Sequence, residues 1–176
     1  MDLTYKLLET PTEQELDLLQ KWRNNPKIKY LTSVNKNQEE LSQVIPQSRI
    51  IEEYTKKVGS TKYLILLNGQ AIGEVNYQWN FKHLIKNQDK TAWVGIMIGQ
   101  TSARRKGIGV QAMRFVEKQI VKAGGNRIEL GVWEFNKPAH QLYLKIGYNE
   151  FARIPNFTFW NGQLWDNIQM EKTLAH

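Results

Sequence analysis

Residues Trp93 to Val132 read WVGIMIGQTSARRKGIGVQAMRFVEKQIVKAGGNRIELGV. Trp93 to Ile98 is a short apolar run, which suits a buried strand. From Gly107 to Ala123 the apolar residues Val110, Met113, Val116 and Ile120 recur every three or four positions, which predicts a helix with one apolar face. Gly124-Gly125 stops that helix, and Ile128 to Val132 forms a second strand. Strand, glycine turn, helix, strand is a βαβ unit, whose two strands are expected to run parallel. The turn, Ala103-Arg104-Arg105-Lys106-Gly107-Ile108-Gly109-Val110, joins a strand to a helix N-terminus. Its two glycines keep side chains out of the way, so backbone amides can approach a ligand. The helix dipole adds about half a positive charge there. The physical product is a pyrophosphate cradle, with Arg104, Arg105 and Lys106 adding positive field; a plain tight turn is the bland alternative. It is not a nucleotide P-loop, since no Lys-Ser/Thr pair follows, and Ala112 breaks the dinucleotide glycine pattern.

Upstream, Leu3 to Leu8 reads as a strand. A helix entry follows, with Thr10 as cap, Pro11 in the first turn and Glu13 closing a capping box. Leu16, Leu19 and Trp22 form its apolar face, and Asn24-Asn25-Pro26 ends it. A second helical region spans Gln38 to Lys57, broken near Pro46. Lys62 to Leu67 and Gln70 to Trp79 flank Asn68-Gly69, a strong hairpin signal because both turn residues must take positive φ. Asn80 to Lys90 is a polar loop. Downstream, Pro138 to Lys145 is a short helix stopped by Gly147. Phe151 to Trp160 and Leu164 to Met170 make a closing hairpin that turns at Asn161-Gly162. The order gives a mixed α/β architecture with an antiparallel front half.

A second constellation is Asn136-Lys137-Pro138-Ala139-His140-Gln141-Leu142-Tyr143-Leu144-Lys145-Ile146-Gly147-Tyr148. Asn136 can cap the short helix and also donate to a ligand. Tyr143 lies two helical turns on, roughly on the same face. Its phenol can act as a general acid, or be a core tyrosine with a satisfied hydroxyl.

Together these segments resemble the GNAT superfamily of N-acetyltransferases. Its Arg/Gln-x-x-Gly-x-Gly/Ala signature is matched by Arg104 to Gly109, and its Asn-x-x-Ala-x-x-Leu-Tyr-x-Lys-x-Gly-Phe/Tyr signature by Asn136 to Tyr148. The match is good over residues 60–150. Trp22-Arg23-Asn24-Asn25 at the end of the first helix is most similar to the branch holding ribosomal-protein N-terminal, spermidine and aminoglycoside acetyltransferases. The resemblance implies one acyl-CoA N-acyltransferase domain over 1–176. Its core would be a mixed, mostly antiparallel sheet with a parallel βαβ cofactor unit, flanked by helices. It implies acetyl-CoA as donor and no metal. The amides of Arg105 to Val110, including Lys106, Gly107, Ile108 and Gly109, would bind the pyrophosphate. Backbone groups of Met97, Ile98 and Gly99 would hold the pantetheine arm, Asn136 would contact the cofactor, and Tyr143 would protonate the departing thiolate.

An attacking amine must be neutral, yet a lysine-like amine is only about one part in 10³ neutral at pH 7. A base therefore helps. Glu74, mid-strand between Ile72 and Val75, is costly there unless it lines a cleft. Glu134, just past the Ile128–Val132 strand, is the other candidate. The bland reading makes both surface charges; Asp89 and Asp166 are weaker candidates. Trp22, Tyr30, Trp79, Phe81, Trp93, Phe157, Phe159, Trp160 and Trp165 fall in or near acceptor-groove segments of such folds. Two or three of them are expected to face a cationic amine, at about 0.5–2 kcal/mol each. His83, His140 and His176 show no metal-ligand spacing.

The chain has 176 residues, 41% apolar and 23% charged, which suits one globular domain and argues against disorder. Zero cysteines exclude disulfides and a cysteine nucleophile, in keeping with direct transfer. No signal peptide or apolar run of membrane length is visible, so a cytoplasmic location is expected. The net charge of +7 is dispersed; Arg104-Arg105-Lys106 and Lys56-Lys57 are the only tight clusters. Nucleic-acid and membrane binding are not expected, and a homodimer is open. The reading is an N-acetyltransferase acting on a protein N-terminus, a polyamine or an aminoglycoside-like amine. The alternative is a non-catalytic acyl-CoA-binding regulatory module.

Overall fold

The computed structural model describes residues 2–56, 59–86 and 88–174. Lys57 of the basic Lys56-Lys57 pair, Asn87 of the polar loop and the terminal His176 lie outside them. In chain order the elements are β1 (Leu3–Leu7), α1 (Glu13–Asn24), α2 (Lys29–Thr32), α3 (Gln38–Ser42), α4 (Gln47–Thr55), β2 (Ser60–Leu67) and β3 (Gln70–Trp79). There follow β4 (Thr91–Ile98), α5 (Ile108–Lys122), β5 (Arg127–Trp133), α6 (Lys137–Lys145), β6 (Asn149–Trp160) and β7 (Gln163–Thr173). The strands form a seven-stranded mixed sheet, hydrogen-bonded in the order β1-β2-β3-β4-β5-β7-β6. The residues group into two compact units. One draws on Met1–Glu9, Lys57–Leu130 and Glu171–His176, the other on Thr10–Lys56 and Gly131–Met170.

In the first unit β1 to β4 run antiparallel, and β4 and β5 run parallel, as the βαβ reading requires. Asn68 and Gly69 turn the β2–β3 hairpin with φ of 50° and 78°. α5 buries Ile108, Ala112, Met113, Val116 and Ile120 completely or nearly so. Its Phe115 ring stacks on Tyr5 at 3.8 Å and meets Tyr63 edge-on at 5.0 Å, so α5 covers the sheet face bearing these rings. Tyr63 is paired with Val75, which puts Glu74 on the opposite face, since strand side chains alternate. Gly73 is obligatory for a local reason. A Cβ there would lie 2.3 Å from the Met97 carbonyl oxygen. The polar 80–90 loop is tied down by charge. Buried Glu129 accepts hydrogen bonds from the amides of Ile85 (2.8 Å) and Lys86 (3.3 Å), and pairs with Arg127 at 2.6 Å. Arg127 also pairs with Glu171, which meets Lys86 at 2.6 Å.

In the second unit α1 starts two residues later than expected. Thr12, not Thr10, is the cap, and Glu15, not Glu13, closes the box: Thr12 Oγ1 accepts from Glu15 N at 3.3 Å, and Glu15 Oε2 accepts from Thr12 N at 2.8 Å. The motif fits both registers, but Pro11 is excluded from the helix when Thr12 caps. Leu19 and Trp22 are buried as its periodicity demands. Asn24 holds Ile45 by two bonds, accepting from its amide at 2.8 Å and donating to its carbonyl at 2.9 Å. The one-turn α2 carries no pattern long enough to predict. β6 and β7 form the closing hairpin, with Asn161 and Gly162 at φ 52° and 82°.

Candidate active site

The cradle residues fall in the first unit. β4 keeps seven ladder pairs with β3, from Trp79↔Ala92 to Gly73↔Ile98. Its ladder with β5 has three, ending at Trp93↔Glu129. Beyond that point the backbone of β4, including Met97 and Ile98, has no ladder partner on its β5 side among the described residues. Such a strand edge suits an extended chain carrying amides. The following turn reverses sharply. Arg105 and Gly107 take φ of 61° and 74°. The left-handed Gly107 is the N-cap of α5, and no side chain caps the helix in its place. A Cβ on Gly107 would meet nothing within 4 Å, so the space in front of the helix is open. Gln111 N already bonds Gly107 O at 3.2 Å. The first-turn amides of Ile108, Gly109 and Val110 have no acceptor within the helix. These amides and the dipole behind them fit a pyrophosphate.

The three basic residues of the turn differ in role. Arg105 and Lys106 are exposed and add field. Arg104 reaches back, and its Nε and Nη2 both donate to Ile98 O at 3.1 Å, clamping the end of β4 to the turn. Gln100 N adds a bond to Ile72 O at 2.9 Å, and Gly99 is buried between them. A pocket of about 340 Å³, lined in part by Gln70, Gln100, Ser102 and Lys106, opens on the hairpin side of the turn. Glu74 belongs to this unit. It is 4% exposed, is paired with Met97 across the ladder, and accepts from Asn76 Nδ2 at 3.3 Å. It is therefore not a surface charge.

Glu134, Asn136 and Tyr143 fall in the second unit. Asn136 caps α6, its Oδ1 accepting from Ala139 N at 3.4 Å. Tyr143 is buried in α6 with its ring centroid 5.8 Å from that of Tyr148. Burial pushes its phenol up to about 12, so it stays protonated through the neutral range. Glu134 is only partly buried and pairs with Arg153 at 3.1 Å, which also approaches Glu150 at 3.7 Å. His140 meets Glu150 at 2.6 Å. Arg153 is nineteen positions away from Glu134 and carries no sequence signal for this pairing. The aromatics divide likewise. Tyr30, Phe135, Trp160 and Trp165 form one half-buried cluster, with Tyr30 stacked on Trp160 at 4.7 Å and Phe135 tilted on Trp160 at 4.6 Å. Trp22 is core, and Trp79, Phe81 and Trp93 belong to the first unit. Phe135 is a member that inspection of the sequence missed.

A family model described as the acetyltransferase (GNAT) family matches residues 17–148. The chain belongs to the GNAT acetyltransferases. It is thus an N-acetyltransferase by family, as the two signatures indicated. No curated protein matches the sequence significantly. Among solved structures, a spermidine N-acetyltransferase from Vibrio cholerae in complex with CoA and spermine is 20% identical, with a TM-score of 0.77 over 97% of this GNAT chain and 95% of that one. A ribosomal-protein-alanine N-acetyltransferase from Brucella melitensis is 16% identical, with a TM-score of 0.75 over 97% and 99%. The structure of yncA from Salmonella typhimurium with its cofactor acetyl-CoA is 13% identical, with a TM-score of 0.76 over 100% and 96%. At these identities the likeness is one of fold. Among the described residues no helix is long and apolar enough to cross a membrane, and no group of three or more His, Asp or Glu could hold a metal.

Proposed function

We propose that both units act as one catalytic domain, which transfers an acetyl group from acetyl-CoA directly to a primary amine. The observation that carries this reading is the uncapped N-terminus of α5, opened by the left-handed Gly107 in front of the amides of Ile108, Gly109 and Val110. These amides, with Arg105 and Lys106, bind the pyrophosphate of the donor. The β5-side edge of β4 at Met97 and Ile98, without a ladder partner among the described residues and continued by Gly99, receives the pantetheine amides. Arg104 holds that edge in place through Ile98 O.

Acetyl-CoA supplies an activated carbonyl and a thiolate leaving group; the chain supplies position and protons. Asn136 presents α6, and Tyr143 donates to the sulfur as it gains charge. A phenol near 12 is a weaker acid than a thiol at about 8.5. Tyr143 therefore stabilises the leaving group by hydrogen bonding, and full transfer completes only when the proton lost by the amine is returned. Glu74 is the better base. It is buried beside Asn76, whereas Glu134 is held by the guanidinium of Arg153.

Thiol release from acetyl-CoA, followed over a panel of peptide N-termini, polyamines and aminoglycosides, tests the reading. Amine-dependent release is expected. Binding of acetyl-CoA without release on any amine would make the chain a non-catalytic acyl-CoA-binding module.

A further inference from the structure

One face of the second unit carries polar atoms that the catalytic scheme does not use. β5 and β7 are neighbours, and Glu134 N donates to Asp166 O at 3.0 Å while Leu174 N donates to Asn126 O at 2.8 Å. These two bonds run the strands antiparallel. Counting back from Glu134 sets Trp133 against Asn167 and Gly131 against Gln169, all on one face because side chains alternate. The geometry of Gly131 agrees: a Cβ there would lie 2.7 Å from Asn167 Oδ1. Asn167 is 3% exposed and Gln169 0%. Asn167 Oδ1, Gln169 Oε1, Gln169 Nε2 and Trp133 Nε1 are all buried without a hydrogen-bond partner. Native interiors rarely leave one such group, since each costs about 1–3 kcal/mol, and here four collect on one face.

Solvent reaches the edge of this face at one mid-strand position. Gly131 is partly exposed in mid-strand between Leu130 at 1% and Val132 at 3%. Beyond Trp133 the same face continues into Phe135 and Trp165, whose rings lie 5.5 Å apart, and on to Trp160. The face therefore has a polar floor and aromatic walls. Its charged end, Arg127, Glu129 and Glu171, is paired within itself, and none of these groups bonds the four atoms. Glu134, two residues beyond Val132 on the alternate face, pairs with Arg153, and Asp166 accepts from Asn156 N at 3.1 Å.

We infer that Asn167, Gln169 and Trp133 form a subsite for an uncharged amide of the acceptor, of the kind that adjoins the amino group of a peptide N-terminus or amino-acid amide. This inference rests on the acetyl-transfer reading above. The four orphan atoms are two acceptors and two donors. An ammonium group only donates and would leave Gln169 Nε2 and Trp133 Nε1 unmatched, whereas an amide both donates and accepts. The carboxamides can exchange donor for acceptor by flipping. Gly131 lets the Asn167 carboxamide sit against the β5 backbone.

The test compares alaninamide, butan-2-amine and spermidine as acceptors for the wild-type chain, Asn167→Leu, Gln169→Leu and Asn167→Asp, with melting temperatures and the thermal shift by acetyl-CoA measured on each preparation. Wild type is expected to favour alaninamide over spermidine in kcat/KM. Asn167→Leu and Gln169→Leu should lower kcat/KM for alaninamide at least about tenfold while changing butan-2-amine less than about threefold. Asn167→Asp, which adds a carboxylate, should move the preference toward spermidine. Equal losses on all three acceptors with the acetyl-CoA shift intact, or a wild-type preference for spermidine, would overturn the subsite alone. No acetyl-CoA shift in the wild type would overturn the acetyl-transfer reading, and the subsite with it.

Discussion

On the proposed acetyl-transfer reading, the two units would build their halves of the chemistry from different material. The first would hold the donor with backbone: a β4 edge that has no β5 ladder partner beyond Trp93 among the described residues, a left-handed glycine and the open amides of α5. The second would use side chains: the phenol of Tyr143, the stacked rings around Trp160 and the carboxamides of Asn167 and Gln169. A backbone cradle can recognise only what every donor shares, a pyrophosphate and an amide-bearing arm. A side-chain surface can change acceptor one substitution at a time. The contrast predicts that damage to the backbone cradle abolishes donor binding, whereas damage to a reacting or acceptor-facing side chain, Glu74 of the first unit included, alters rate or acceptor choice and leaves donor binding intact.

The hardest break is Gly107→Val. It forces a branched side chain into φ 74° and fills the open space in front of α5. The dissociation constant for acetyl-CoA should rise at least about a hundredfold. The thermal stabilisation, about 2.7 kcal/mol at 100 Kd, should vanish. Calorimetry reads the first and thermal shift the second; an unchanged Kd would move the cradle elsewhere.

Next comes Tyr143→Phe, which keeps the ring against Tyr148 and removes the proton. We expect kcat to fall by about 10–10³ with Kd for acetyl-CoA within about threefold of wild type. A lowered melting temperature with unchanged kcat would return Tyr143 to the core.

The choice of base gives a smaller effect. Glu74→Gln should reduce kcat about tenfold near neutral pH, with recovery at alkaline pH, where the amine is neutral unaided. Glu134→Gln should change kcat less than about threefold. The reverse ranking in pH–rate profiles would transfer the role to the second unit.

The smallest effect concerns stability alone. Burial pushes the Glu171 carboxyl up, but its hydrogen bonds with Lys86 and Arg127 outweigh this and hold it below the usual glutamate range. A depressed folded value contributes stability that is present above the unfolded value of about 4.3 and is lost as pH falls through the folded one. The melting temperature should therefore decline on acidification below about pH 4, and Glu171→Gln should flatten that decline. An equally steep decline in the variant would assign acid sensitivity to other carboxylates.

What the sequence determined by itself was local. Asn68-Gly69, Asn161-Gly162 and Gly107 announce their turns because positive φ is a property of one or two residues. The helix face of Val116 and Ile120 follows from periodicity, and the parallel pair from the order strand, helix, strand. Even there the α1 capping box was legible as a motif but not in register, since Thr10 and Thr12 each have an acidic residue three positions on. Only the tertiary structure decided which polar groups meet. Arg104 clamps Ile98, Arg153 holds Glu134, Glu129 ties down Ile85, and Asn167 lies in the space that Gly131 leaves. The reason is physical. Turns and helix faces are set by interactions a few residues apart, whereas a buried hydrogen bond depends on which strands become neighbours. That pairing is chosen by the whole sheet.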